Sequence, residues 1–188
     1  IHHAYERTVP EGVEERIVTM LKWLDLMCHP DGEISFFNDA ALGITPPVKE
    51  IKYYGVRLCL LLSDTERCIG LTDLPHSGYS RVEMGDAVAL IDRAAVGPDH
   101  LPGHAHADTL SFELSLFGQR VIVNSGTSVY GTGNERHVER GTAAHSTVVI
   151  DDENSSEVWG GFRVARRARV FDCSARQLES VVRLSACH

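Results

Sequence analysis

With 188 residues, 43% apolar and 23% charged, the chain has the make-up of one large globular domain or two small ones. Its formal net charge of −8 argues against nucleic acid as a partner, and the arginines of 163–169 alternate with apolar residues as a strand does, not as a basic stripe. No apolar run is long enough to span a membrane. The chain opens on Ile1-His2-His3, without Met and without a signal peptide, so a removed leader or a fragment is expected.

Thr8-Val9-Pro10-Glu11 reads as a capping box with proline near a helix start. Val13, Ile17, Met20 or Leu21, and Leu24 follow at helical spacing and predict a helix to about residue 28. His29-Pro30-Asp31-Gly32 stops it. Residues 33–44 read as a loop anchored by Phe36, Phe37 and Asn38. Thr45-Pro46-Pro47 opens a second helix, which Val48, Ile51 and Leu58 carry to about residue 62. Two such helices form a hairpin that cannot bury its apolar faces alone.

Near residue 70 the period changes from that of a helix to 2. Strands are predicted over 78–84, 87–92, 109–117, 120–124, 145–150, 162–171 and 178–186. In the third, Leu110, Phe112, Leu114 and Leu116 alternate with Ser111, Glu113 and Ser115, which predicts a buried apolar face. Gly118-Gln119 is the expected hairpin turn, and 125–144 a long polar, Gly-rich loop. The fold class is therefore α+β: a helical segment over 1–70, then an antiparallel β-sandwich over 71–188 that runs out at His188 and looks incomplete. Five cysteines with no CxxC spacing are expected to be small buried residues.

The chemistry concentrates in Gly103-His104-Ala105-His106-Ala107-Asp108, where two histidines and an aspartate alternate on an extended segment. Pairing about the hairpin turn sets Asn124 opposite Phe112 or Glu113, above His106, and His145 opens the next predicted strand. His106, Asn124 and His145 thus converge as a set suited to zinc. His-x-His-x-Asp also begins the signature of metallo-β-lactamase-like hydrolases. There the motif follows an apolar strand and precedes another His, whereas here a Gly/Pro loop precedes it and Thr109 follows, which disfavours a metallo-hydrolase.

These blocks, with Ser111-Phe112-Glu113-Leu114, Val123-Asn124-Ser125-Gly126-Thr127 and Tyr130, Glu139-Arg140-Gly141-Thr142-Ala143-Ala144-His145-Ser146-Thr147-Val148 and Trp159-Gly160-Gly161-Phe162-Arg163, resemble the heparinase II/III-like polysaccharide lyases in order and spacing over about 100–170. The segment around Phe37-Asn38-Asp39-Ala40-Ala41 is similar to the last helices of that family's α/α toroid. The resemblance implies a toroid followed by stacked antiparallel sheets, with a cleft between them. The implied activity is β-elimination on a uronic-acid polysaccharide, an acidic glycan partner outside the cytoplasm, in the periplasm or secreted. It assigns His104 to catalysis, Tyr130 and Arg140 to substrate, and His106, Asn124 and His145 to zinc.

Two departures stand out. Asn124 replaces the family's Asp, and Ser146 replaces the usual Asn after His145. The family's catalytic Tyr and Asn/His pair lie further upstream than these residues reach. This polypeptide alone is therefore expected to be inactive, needing the rest of its own chain or a homo-oligomer. The rival expectation is a non-catalytic carbohydrate-binding or polysaccharide-biosynthesis-associated module of the same fold.

Overall fold

The structure is a computed structural model, and it describes residue 5 and residues 7–60 and 69–188. Helix α1 spans Val13–Leu26, starting after Gly12 in the left-handed region (φ 76). Helix α2 spans Val48–Arg57, with Pro47 extended in front of it. Both stop short of the expected ends at 28 and 62, and residues 61–62 lie outside the described residues. Lys52 Nζ bonds Asp25 Oδ1 across the two helices at 2.5 Å. The loop between them folds back at once, with His29 N–H donating to Glu33 O (2.9 Å) and Ser35 N–H to Met27 O (3.1 Å).

Strands β1 (Gly70–Leu74), β2 (Tyr79–Met84), β3 (Ala87–Asp92), β4 (Phe112–Leu116) and β5 (Gln119–Ile122) form one antiparallel meander in chain order. Leu116 pairs with Gln119, so the β4–β5 turn is Phe117-Gly118, one residue before the expected 118–119. Both turn residues have positive φ (52 and 77), the mirror-image turn that matches strand twist. Among the described residues, Met27, Phe37 and Leu90 form the buried core, with Leu74 and Tyr79 against it. It sits where the inter-helix loop meets the sheet.

The buried face of β4 is the reverse of the one expected. Ser111, Glu113 and Ser115 are fully buried, while Phe112 is exposed and Leu114 and Leu116 half-buried. Register places Glu113 beside Leu90 and Ser115 beside Val88, on the side that meets the helical hairpin. There His29 Nδ1 and Nε2 lie 2.7 Å from Ser115 Oγ and 2.6 Å from Glu113 Oε2. Alternation fixed the two faces correctly, but hydrogen bonding from another element decided which one went inside.

After β5 come helix α3 (Asn134–Arg140), inside the segment expected to be loop, and a second short hairpin, β6 (Val158–Trp159) with β7 (Arg163–Val164). The expected strand at 145–150 is not formed: Val148, Val149 and Ile150 are exposed and only Ile150 makes an isolated bridge, to Glu153. The expected strand at 162–171 is split, since the chain leaves β7 and β8 (Phe171–Leu178) begins at its end and pairs with β9 (Val181–Cys187). β8 runs along β1, where Gln177 Oε1 accepts from Leu71 N–H (2.8 Å). Of the cysteines, Cys28 is buried as expected, whereas Cys59, Cys173 and Cys187 are exposed and Cys68 lies outside the described residues. Among the described residues no helix is long and apolar enough to cross a membrane.

Candidate functional site

Asp39, within the inter-helix loop, is the hub of the site. Its Oδ2 lies 2.7 Å from His104 Nδ1 and its Oδ1 2.7 Å from His106 Nε2. Arg136 Nη2 donates to Oδ2 (2.9 Å), and Arg136 Nη1 donates to Oδ1. Burial raises the Asp39 pKa, but hydrogen bonds from His106, Arg136 and His104 outweigh it and hold the carboxyl well below its usual range. An ionised carboxylate only accepts, so both histidines must carry a proton on the nitrogen that faces it. That leaves His104 Nε2 and His106 Nδ1 as the free positions.

The two nitrogens face different places. His104 closes a one-turn 3-10 helix (Pro102–His104) and its side chain is 62% exposed. Its ring lies beside Tyr130 (6.1 Å between centroids) and Phe162 (6.2 Å). His106, two residues on in extended backbone, is fully buried. Its Nδ1 lies 3.3 Å from His145 Nε2. Asp108 is buried as well, where Asn38 N–H donates to Oδ2 (3.3 Å) and burial pushes its carboxyl up to about 6. The three groups of the motif therefore differ in exposure: His104 is open to solvent, whereas His106 and Asp108 are buried.

His106 and His145 meet as the sequence suggests. Burial and the neighbouring His106 depress the His145 pKa to about 3, so it is neutral at ordinary pH. His145 Nδ1 is buried without a hydrogen-bond partner, with the Glu139 backbone carbonyl as its polar neighbour. A proton on Nδ1 leaves two lone pairs facing across 3.3 Å, the span of two nitrogens on a tetrahedral ion with bonds of about 2.0–2.1 Å. Asn124 is less suited to a third arm. Its Oδ1 accepts from Ser146 N–H (2.9 Å), and its Nδ2 is buried and unpartnered. Among the described residues no group of three or more His, Cys, Asp and Glu is arranged to hold a metal ion. What these residues could offer a metal is two imidazoles and a neutral amide, where a carboxylate would add charge.

Arg140 is not on the cleft, where the sequence placed it. It is almost fully buried and donates to Ala105 O (2.9 Å), Gly160 O (3.1 Å) and Arg163 O (3.2 Å), which leaves no face for a substrate carboxylate. Tyr130 is exposed, as a substrate contact requires; burial and the Asp39 charge raise its hydroxyl pKa. Two residues with large roles went unassigned. Arg136 sits under Tyr130, its guanidinium 5.2 Å from that ring and 5.4 Å from Phe162. Glu113 Oε1 accepts from Phe36 N–H (2.8 Å) and Asn124 N–H (3.0 Å), tying the loop that carries Asp39 to Asn124. The sequence signal for Arg136 was its spacing of four from Arg140, which puts both on one helix face. For Glu113 the only signal was its place in a polar alternation, which ordinarily marks a solvent face.

Comparison with known proteins bears on the fold and the family. The family described as "Heparinase II/III-like, C-terminal" matches residues 69–188. Among solved structures, a heparinase III superposes with TM-score 0.67 at 16% identity, covering 90% of this chain and 29% of that one. Heparan sulfate lyase HepC from Pedobacter heparinus gives TM-score 0.67 at 17% identity, over 94% of this chain and 29% of that chain. A further heparinase III gives 0.61 at 21% identity, over 80% and 27%. The chain thus spans less than a third of these structures' length. Sequence comparison with curated proteins finds no match. The α+β architecture and its antiparallel sheets agree with that C-terminal β-sandwich region, and the chain belongs to the heparinase II/III-like family.

Proposed function

We propose that this chain is the C-terminal portion of a polysaccharide lyase that cleaves a uronic-acid-containing glycan by β-elimination. The observation that carries the reading is the exposed His104 imidazole, held by Asp39 at 2.7 Å with its Nε2 free toward solvent. In β-elimination a base takes the proton α to the uronate carboxylate, a carbon–carbon double bond forms, and the C4–oxygen bond breaks. A proton then goes to the departing oxygen. His104 Nε2, with its lone pair free, is placed to supply the base. Tyr130, neutral at ordinary pH, offers a hydroxyl beside it. The complete reaction belongs to the longer protein, whose other cleft wall supplies further groups.

The zinc of this reading would be held by His106 Nδ1 and His145 Nε2, with Asn124 as a neutral neighbour, and would fix the buried rings behind His104. Loss of unsaturated-uronate formation from an acidic polysaccharide in His104→Ala, with folding intact, supports the assignment; unchanged activity rejects it. The Asn124 position motivates the second reading, a module of the same fold that binds glycan without cleaving it. Glycan bound by the intact protein with no elimination product favours that alternative. A periplasmic or secreted location, which the family resemblance implies, is part of this proposal.

A further inference from the structure

The β6–β7 hairpin is a built wall of the site. Its turn, Gly160-Gly161, is clamped from beneath by both buried arginines of α3: Arg140 Nη1 donates to Gly160 O (3.1 Å) and Arg136 Nε to Gly161 O (3.1 Å). Arg140 also holds Arg163 O. The turn fits against the loop carrying Tyr130 so closely that a Cβ on Gly161 would lie 2.0 Å from Gly131 O. Gly103, next to His104, is also close to the Phe162 backbone, since a Cβ there would lie 3.3 Å from the Phe162 carbonyl oxygen.

This wall carries side chains that the elimination does not use. Phe162 forms a tilted pair with Tyr130 (5.5 Å, 59°) and lies edge-on to His104, yet is 44% exposed. Trp159, 54% exposed, pairs across the hairpin with Arg163, whose guanidinium lies 6.0 Å from its ring. Two large rings stand partly exposed on a hairpin fixed by buried arginines, where they are free to meet an apolar face. A pyranose ring presents such a face through its C–H groups, and an acidic sugar adds an anion for the neighbouring arginine.

Building on the proposed lyase reading, we propose that this hairpin is a sugar subsite next to the reacting unit: Phe162 and Trp159 offer ring faces to a pyranose of an acidic polysaccharide, and Arg163 pairs with its carboxylate or sulfate. Interactions there are made equally in ground and transition states, so they set KM and leave kcat alone.

The test uses the full-length protein with heparan sulfate and its desulfated form as probes. Phe162→Ala and Trp159→Ala are expected to raise KM about fivefold to tenfold with kcat within about twofold. Arg163→Gln is expected to weaken binding and flatten its salt dependence. An Arg163 effect on both probes assigns the carboxylate, and an effect on the sulfated probe alone assigns the sulfate. The tryptophan fluorescence of the full-length protein is expected to change on titration with oligosaccharide, and that change is expected to shrink in Trp159→Phe. Wild-type protein that cleaves normally while the hairpin variants keep its KM overturns the subsite alone. A fall in thermal stability with unchanged glycan affinity does the same, since the rings would then serve another part of the chain. Wild-type protein that binds neither probe overturns both readings.

Discussion

Asp39→Asn is the most informative single change. The substitution keeps the shape of the side chain and removes its charge. Asp39 accepts from His104, His106 and both terminal nitrogens of Arg136. Arg136 is buried, so without its counter-ion a guanidinium is left in the interior, at a cost of about 3–5 kcal/mol. For a chain of this size each kcal/mol moves Tm by about 2–4 °C, so a fall on the order of 10 °C is expected in thermal melts. The amide also carries an NH2 that donates where the carboxylate only accepted. Turned toward His104, it forces the imidazole to move its proton from Nδ1 to Nε2, which removes the free lone pair from the cleft. The same exchange in a Ser-His-Asp triad costs about 10⁴ in kcat through the wrong tautomer, and a loss of about 10²–10⁴ is expected here. Initial rates of unsaturated-uronate absorbance at a temperature well below both melting points separate the two effects. A variant that melts early but keeps wild-type kcat refutes the tautomer argument; one that keeps both Tm and kcat refutes the hub itself.

Other outcomes follow from the same geometry. Asn124→Asp supplies a charged oxygen at the position that the resemblance assigns to the zinc set with His106 and His145, and is expected to tighten zinc by about tenfold in chelator competition followed by elemental analysis. Burial and the Asp25 charge push the Cys28 thiol up to about 11, so alkylation at mildly alkaline pH is expected to label the exposed Cys59, Cys173 and Cys187 and to spare Cys28, as peptide mass mapping would show. Burial, then the charge of Asp108, raises the Asp92 carboxyl well above its usual value. A raised folded-state pKa contributes stability that is present below the unfolded value of about 3.9 and is lost as pH rises through the folded one. Denaturant melts of Asp92→Asn are expected to show a flatter decline from acid to neutral pH and higher stability than wild type at neutral pH; an unchanged profile would contradict this.

Period and punctuation made β3 legible to the residue, since it was expected over 87–92 and spans Ala87–Asp92. They also set Asn124 beside Glu113, whose Oε1 accepts its N–H. Pattern failed where a distant partner decided the outcome. The polar face of β4 went inside because His29, 84 residues earlier in the chain, bonds Glu113. Among the described residues the β-branched run Val148-Val149-Ile150 pairs with no strand, makes only the isolated bridge from Ile150 to Glu153, and stays exposed. Helix α3 has a single large apolar residue, Val138, which is exposed, so no apolar stripe could announce it. The motif histidines were legible as a group, but their division between cleft and interior depends on Asp39, which no local spacing ties to them.

The same facts explain why the site rests on a polar interior. A seven-residue helix is far too short to persist alone in water. α3 is instead held by two guanidinium groups four residues apart, which reach the carbonyls of Ala105, Gly160, Gly161 and Arg163 and the carboxylate of Asp39. Those contacts come from the inter-helix loop, the His104 segment and the β6–β7 hairpin. Each supplies one wall of the site, and α3 locks them in register. An apolar contact at these junctions would tolerate sliding, whereas a planar fork with defined donor directions does not. Precision at His104 therefore comes from charged hydrogen bonds around α3. The core of Met27, Phe37 and Leu90 supplies cohesion between loop and sheet. A network that is fully satisfied rigidifies, and one missing member leaves a buried charge. Activity is accordingly expected to be far more sensitive to changes at Asp39, Arg136 and Arg140 than to volume-conserving changes in that core.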